Sequence, residues 1–231
     1  MNYQDVDFPK HIGLIMDGNG RWAIKHRLNR SLGHKAGYDN LQKLNKYIFA
    51  RGVKVLSIYA LSTENFKRPK EEINYILELF LNFFMKEKEF YIKNNIKVIF
   101  SGRRENFSNK VLDAMDIIID GTKNNTKAIY NICFNYSGQN EIIDACTNLI
   151  KEKVTNLDST NFQKYLYHDL PPIDFLIRTS GEQRLSNFML WQAAYAELYF
   201  TKVLFPDFDC QEFDKAINIY NKRIRKFGGI L

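Results

Sequence analysis

The sequence predicts an α/β fold: a single domain built on a central, mostly parallel, six-stranded sheet flanked by helices. Three observations predict it. Short apolar runs rich in β-branched residues alternate with longer helical patterns along the whole chain, and such alternation implies right-handed βαβ units. No linker rich in Pro, Gly or Ser and no internal repeat divides the 231 residues. A chain of that length closes one large core without staples.

His11 to Met16 is the first strand, and Gly37 to Ala50 is a helix with Leu41, Leu44 and Ile48 on one face. Val53 to Leu61 is the second strand. The helix from Lys70 to about Tyr91 is apolar almost all round between Tyr75 and Met85, broken chiefly by Glu78 and Asn82, so it is buried on more than one side. Ile96 to Phe100 and Lys127 to Phe134 are the third and fourth strands, each followed by a helix, Asn109 to Ile119 and Glu141 to Lys151. Phe175 to Arg178 and Glu197 to Phe200 complete the sheet, and Cys210 to Lys226 reads as a final helix. The domain spans 1–231, with 1–10 an N-terminal extension and 210–231 a C-terminal helix and tail.

With 33 Lys plus Arg against 26 Asp plus Glu, the chain carries a formal charge of +7, which favours anionic partners: phosphorylated small molecules, nucleic acid or an acidic membrane face. A nucleic-acid module needs a basic face with exposed stacking aromatics, whereas here the cations gather at strand ends with carboxylates among them, so no nucleic acid is expected. Cys133, Cys146 and Cys210 are too few and too scattered for a disulfide framework or a CxxC metal site, and suit a reducing compartment as small buried hydrophobes. The first ten residues hold Asp5 and Asp7 and no apolar core of a signal peptide. No run reaches the roughly 20 apolar residues that span a bilayer. The expected location is cytoplasmic, with membrane contact peripheral at most.

In open parallel sheets ligands bind beyond the carboxyl ends of the strands. The first strand ends at Asp17-Gly18-Asn19-Gly20-Arg21-Trp22, the second at Ser62-Thr63-Glu64-Asn65-Phe66-Lys67-Arg68-Pro69, and the fifth at Arg178-Thr179-Ser180-Gly181-Glu182-Gln183-Arg184-Leu185-Ser186-Asn187-Phe188. All three segments are polar and turn-rich, and all reach one rim. Asp17 puts a carboxylate at a strand end, two glycines let backbone approach a ligand closely, and Arg21 clamps phosphate through its fork. The same segment also reads as a plain strand-to-helix turn. It is neither a P-loop nor a full GxGxxG. Arg30 and His34-Lys35-Ala36-Gly37 either add basic groups at a helix start, where anions are favoured, or are solvated cations beside a glycine-rich turn, the commoner outcome for such residues. Ser62 or Thr63 either caps a helical turn, with Pro69 opening the next helix, or points inward to hold a diphosphate. Arg178, Arg184 and the nearby serines form the densest anion site, because guanidinium donates paired hydrogen bonds to phosphate.

These segments together, with Gly33-His34-Lys35-Ala36-Gly37 and the run to Phe200, resemble the signature of the cis-prenyltransferase family, most of all its bacterial undecaprenyl diphosphate synthases, in order and spacing from about His11 to Gly229. The resemblance implies a homodimeric α/β enzyme with a hydrophobic tunnel. It extends an allylic diphosphate, typically farnesyl diphosphate, with isopentenyl diphosphate units in the cis sense, giving a long polyprenyl diphosphate that serves as a cell-wall lipid carrier. It implies Mg²⁺ as cofactor, held by Asp17 with help from Glu197. Gly18, Asn19, Gly20, Arg21 and Trp22 then surround the allylic diphosphate, with Arg30 and His34 beside them. Ser62, Thr63, Glu64 and Asn65 shape the reacting centre, with Phe66 and Arg68 adjoining, and Asp17 and Asn65 are the catalytic pair. Arg178, Arg184, Leu185 and Ser186 bind isopentenyl diphosphate.

The sequence departs from the family pattern at three places. Phe66 stands where bacterial relatives commonly carry Trp, Asn135-Tyr136-Ser137-Gly138-Gln139-Asn140 loses a basic residue, and Gln183 replaces a frequent His. The tail Arg223-Ile224-Arg225-Lys226-Phe227-Gly228-Gly229 matches the family's end, and either reaches a neighbouring subunit's site or is a frayed, solvated basic helix end. The rival from another class is a catalytically silent partner subunit. Such a chain is expected to have lost the carboxylate or the arginine cluster, and Asp17, Arg178, Arg184 and Glu197 are all present.

Overall fold

Six parallel strands stand in the order β3-β4-β2-β1-β5-β6 in the computed structural model, which describes residues 8–224. They are β1 (His11–Ile15), β2 (Val55–Ser62), β3 (Ile96–Ser101), β4 (Ala128–Tyr136), β5 (Phe175–Arg178) and β6 (Glu197–Phe200). The helices are α1 (Asn19–Lys25), α2 (Arg30–Ala50), α3 (Lys70–Lys93), α4 (Asn109–Thr122), α5 (Gly138–Lys151), α6 (Ser159–Gln163) and α7 (Cys210–Tyr220). All six expected strands are present, within two residues of their expected ends. Register pairs Ile12 with Leu56 on one side and with Phe175 on the other.

Strand alternation divides the core. Ile12, Leu14, Leu56, Ile58, Tyr130, Ile132, Phe175 and Ile177 point to the face covered by α2, α3, α4 and α7. Ile15, Cys133, Tyr136 and Leu176 point to the other face, where Leu170, Ile173, Phe188 and Met189 pack. Ala145 and Leu149 of α5 make a smaller cluster with Phe162 and Leu166. Helix α3 buries Ile73, Ile76, Phe83, Phe84, Glu87 and Tyr91 and leaves Glu78, Asn82 and Met85 outward, so its nearly continuous apolar surface is used on most sides.

Across the second face runs a buried polar row that ties four strands together. The His11 ring meets Pro171 O through Nδ1 at 2.7 Å and Ser57 Oγ through Nε2 at 2.8 Å. Asn131 Nδ2 donates to Ser57 Oγ at 3.0 Å, and Ser101 Oγ donates to Asn131 Oδ1 at 2.8 Å. A carbonyl only accepts, so Nδ1 carries the proton and Nε2 accepts from Ser57. Burial dominates this imidazole and lowers its pKa to about 4, against the smaller opposing pull of Pro171 O and Asp174. The folded pKa lies below the unfolded value of about 6.5, so the neutral ring stabilises the fold fully above about pH 6.5. That stabilisation is lost as pH falls toward 4, by about 3 kcal/mol for a shift of this size. Urea midpoints of the wild type and of His11→Gln, which cannot charge, are expected to diverge in pH slope across that window. Parallel slopes would remove His11 as the acid-sensitive group.

Three local differences from the sequence reading have physical causes. A helix, α1, follows Asp17 where a turn was the alternative, and α2 starts at Arg30, upstream of Gly37. Its cap is Asn29, whose side chain accepts from Leu32 N at 3.0 Å. Gly33 and Gly37 lie one turn apart inside α2, not at its end, because α1 crosses there. A Cβ on Gly33 would sit 2.2 Å from Asn19 O, and one on Gly37 2.3 Å from Asn19 Oδ1. Helix α7 stops at Tyr220, and Arg223 folds back to Glu197 Oε2 at 2.8 Å and Leu198 O at 2.9 Å. The tail motif from Arg225 onward, and residues 1–7, lie outside the described residues. Of the three cysteines only Cys133 is buried; Cys146 is exposed and Cys210 half-buried.

Candidate active site

The carboxyl ends of β1, β2 and β5 converge as their sequences imply. Asp17 closes β1: its amide donates to Thr179 Oγ1 at 2.9 Å, and that hydroxyl donates to Asp17 O at 2.6 Å. Gly18 follows at φ 111°, a left-handed conformation, with the Ser180 side chain 2.9 Å from where a Cβ would stand. The Asp17 carboxylate is thereby set at the rim, where Arg178 Nη2 donates to Oδ2 at 2.9 Å and Arg21 Nη2 reaches Oδ1 at 3.4 Å.

Arg178 is the hub. Only 5% of its side chain is accessible, and its Nη1 donates to Arg184 O at 2.5 Å and Ser186 Oγ at 2.7 Å. Among the described residues its buried Nε has no hydrogen-bond partner. Arg21 donates to Ser180 O at 2.8 Å and Ser180 Oγ at 2.5 Å, and lies 3.2 Å from Glu182. The Arg184 side chain is outward, paired to Glu182 at 2.5 Å, so its backbone carbonyl is what touches Arg178. Leu185 packs on the second core face under this loop. Ser180, Ser186, Asn187 and Met189 all have positive φ, a cluster of strained non-glycine backbone in one loop.

A cleft of about 380 Å³ opens beside Asp17. Asp17, Gly18, Asn19, Gly20, Arg21, Arg30, His34, Asn65 and Arg68 line its polar part, and Tyr38, Leu41, Ile76, Leu79, Phe80 and Phe205 its apolar part between α2 and α3. That volume is ordinary for a small-ligand site. Deeper between these helices the space is filled. Tyr38 packs edge-on against Phe83 at 5.2 Å, and Asn45 Nδ2 donates to Tyr130 Oη at 2.7 Å.

Three of the basic groups share a partner that sequence reasoning missed. Glu72 Oε1 lies 3.1 Å from Arg68, 3.2 Å from His34 Nε2 and 3.6 Å from Arg30. Burial opposes the charge on Glu72, but the His34 hydrogen bond and the Arg30 and Arg68 charges together outweigh it and hold the carboxyl below its usual range. Burial lowers the His34 pKa against the pull of Glu72, so near neutral pH the ring is uncharged. The available signal was spacing: Glu72 stands four residues after Arg68, in the first turn of α3.

A second, shallower cavity adjoins the first, lined by Ser62, Glu64, Asn65, Gln139, Ser186, Asn187 and Leu190. Asn65 lines both. Ser62 and Asn65 cap the 3₁₀ turn Thr63–Lys67 reciprocally, Ser62 N donating to Asn65 Oδ1 at 3.1 Å and Asn65 N to Ser62 Oγ at 3.2 Å. The capping alternative therefore holds for Ser62. Among the described residues Thr63 Oγ1 is buried without a partner. Asn187, also missed, knits the rim: its Nδ2 donates to Ser137 Oγ at 2.7 Å and Glu64 Oε1 at 3.1 Å, and its Oδ1 accepts from Gln139 N at 2.9 Å. Ser137 in turn caps α5, so the departure at Ser137-Gly138-Gln139-Asn140 is built into that junction.

Three expected site residues lie elsewhere. Trp22 faces away from the cleft, its Nε1 donating to Asp207 at 2.7 Å and its ring 4.1 Å from His26, because the α1 turn that aims Arg21 inward aims Trp22 out. Phe66 packs toward the core, 6.1 Å from Phe107. Glu197 opens β6, level with Phe175, whereas Asp17 lies beyond the carboxyl end of β1. The offset along the strands is roughly 16 Å at about 3.3 Å per residue, so the two carboxylates do not share a site within one chain. Among the described residues no group of three or more His, Cys, Asp or Glu forms a metal cage. The Asp17 carboxylate amid donors for diphosphate does fit Mg²⁺, which is commonly held by one or two carboxylates plus substrate phosphates.

Among the described residues no helix is long and apolar enough to cross a membrane. Residues 15–228 match the family model described as "Putative undecaprenyl diphosphate synthase". The isoprenyl transferase of Fusobacterium nucleatum is 49% identical over 226 residues, covering 98% of each chain. That of Thermotoga maritima is 43% identical over 228 residues, 96% of this chain and 98% of the relative. Among crystal structures, lavandulyl diphosphate synthase from Lavandula x intermedia, in complex with dimethylallyl diphosphate, superposes with a TM-score of 0.91 at 30% identity, over 96% of this chain and 98% of that one. "A probable undecaprenyl diphosphate synthase" from Campylobacter jejuni gives 0.81 at 32% identity, over 96% and 100%. The sheet order, the rim and these likenesses agree, and the chain belongs to the undecaprenyl diphosphate synthase family of prenyltransferases.

Proposed function

We propose that this prenyltransferase condenses isopentenyl diphosphate units in the cis sense onto an allylic diphosphate, farnesyl diphosphate for preference, to give a long-chain polyprenyl diphosphate such as undecaprenyl diphosphate. The observation that carries the reading is the Asp17–Arg178 contact at the mouth of a cleft whose far end is apolar. The allylic diphosphate is assigned to the polar part of the cleft, over Gly18, Asn19, Gly20 and Arg21 with Arg30 and Arg68 opposite, and its hydrocarbon to the space between α2 and α3. Isopentenyl diphosphate is assigned to the second cavity, its phosphates toward Arg178, Ser186 and Arg184. Asn65, the residue common to both cavities, stands where the two substrates meet.

In this reaction the allylic carbon–oxygen bond breaks, and its electron pair leaves with diphosphate. The isopentenyl double bond attacks that carbon, and a proton then passes from the condensing unit to a diphosphate oxygen or a water molecule. Negative charge grows on the leaving group, and Arg21, Arg30 and Arg68 are fixed donors around it, which is where preorganised electrostatics has most effect. Mg²⁺ held at Asp17 would add Lewis-acid stabilisation of the same charge. Asn65 presents its oxygen to Ser62 N, and a neutral amide is a poor base, so it is assigned to orient a phosphate or water rather than to take the proton. The enzyme is proposed to work as a cytoplasmic homodimer with peripheral membrane contact. The ion pair between Asp17 and Arg178 favours an active subunit over a silent one.

Purified protein incubated with farnesyl diphosphate, labelled isopentenyl diphosphate and Mg²⁺ is expected to yield a ladder ending near one long chain, abolished by EDTA. Folded protein that extends no primer would overturn the reading.

A further inference from the structure

Between Asp17 and Asp39 the sequence holds no carboxylate, yet it holds Arg21, Lys25, Arg27, Arg30 and Lys35. This stretch folds as α1, a tight corner and the start of α2. Arg27 takes a left-handed φ of 57°, Leu28 N donates back to Ala23 O at 2.8 Å, and Asn29 caps α2. The corner leaves three aliphatic side chains in water: Ile24 is 72% exposed, and Leu28 and Leu32 41% each. Lys25 and Arg27 are exposed beside them and enter no ion pair among the described residues. Ile24 also lines the cleft, so the apolar corner is continuous with the mouth of the site.

The geometry points to the α1–α2 corner as the surface that docks on an anionic lipid bilayer. Aliphatic side chains flanked by unpaired cations match the chemistry of an interfacial segment, whose apolar groups enter the headgroup boundary while Lys and Arg meet lipid phosphates. The surface rests on the proposed function in one respect: a long polyprenyl tail leaving a cleft whose mouth borders this corner would pass into hydrocarbon instead of water. Substrate steering accounts for Arg21 and Arg30, which line the cleft, but not for the outward Leu28 and Leu32.

The test is flotation of the full-length protein with vesicles of phosphatidylglycerol and phosphatidylcholine, against vesicles of phosphatidylcholine alone. The wild type is expected to float with the anionic vesicles, weakly with the neutral ones, and less as salt rises. Each basic residue near an anionic surface strengthens binding roughly fivefold, so Lys25→Gln/Arg27→Gln is expected to bind about twenty-five-fold more weakly. Leu28→Ser/Leu32→Ser is expected to lose at least about tenfold. Neither pair lines the cleft, and both variants should keep wild-type circular dichroism. Wild type that ignores anionic vesicles at low salt, or vesicle binding unchanged in both variants, would overturn the proposal. So would self-association in solution that Leu28→Ser/Leu32→Ser abolishes, since a second copy would then cover the corner. Vesicle binding with no prenyl transfer would instead count against the proposed reaction and leave the surface standing.

Discussion

Asp17→Asn is expected to lower turnover about a thousandfold while the protein stays folded. The amide is nearly isosteric and keeps an oxygen that can accept from Arg178 Nη2, so the contact at 2.9 Å that holds β1 to β5 at the rim survives. What disappears is the negative charge. In the proposed mechanism the rim then lacks the carboxylate assigned to Mg²⁺, and Arg178 and Arg21 keep a neutral acceptor in place of an ion pair. Removing a single fixed electrostatic element from a site of this type costs roughly 10²–10³ in turnover. Initial rates with labelled isopentenyl diphosphate, together with a thermal melt, decide it. Near-normal turnover in the folded variant would take Asp17 out of the chemistry.

Much of this site was legible in the sequence because it lies where βαβ topology puts ligands. Once β1, β2 and β5 were recognised as parallel strands, Asp17, Ser62 and Arg178 had to reach one rim, and the structure places Arg178 in hydrogen bond with Asp17. Side-chain direction was less legible. Trp22 and Arg21 are neighbours, but successive residues of a helix point about 100° apart, so one faces the cleft and the other Asp207. Glu197 shows the complementary limit: a carboxylate near other site segments in sequence can stand at the wrong end of its strand, which only register reveals. Gly33 fell outside the expected helix, which began at Gly37, because glycine is costly in helices, and the tertiary crossing with α1 overrode that propensity. Glu72 and Asn187 escaped because neither is unusual locally. Their importance comes from partners far off in sequence, His34 for one and Glu64 and Ser137 for the other.

Arg178→Lys is expected to cut kcat/KM for isopentenyl diphosphate by at least about a hundredfold, although the charge is conserved. One guanidinium holds Asp17 Oδ2, Ser186 Oγ and Arg184 O at once, in a nearly inaccessible setting. An ammonium is a point donor on a flexible stem and cannot span all three directions. If it keeps the Asp17 ion pair, the strained loop carrying Ser186 at φ 49° and Asn187 at φ 65° loses its tie to β5. Hydrogen bonds to charged groups contribute about 1.5–3 kcal/mol each, so losing two costs roughly 3 kcal/mol or more. That converts to at least a hundredfold in the specificity constant. The loop is assigned to isopentenyl diphosphate and the cleft around Gly18 and Arg21 to the allylic partner, so the KM for farnesyl diphosphate should move far less. Steady-state kinetics with each substrate varied in turn separates the two. Equal rises in both KM values would mean that Arg178 supports the whole rim and does not discriminate between the sites, and an unchanged kcat/KM would remove it from substrate binding.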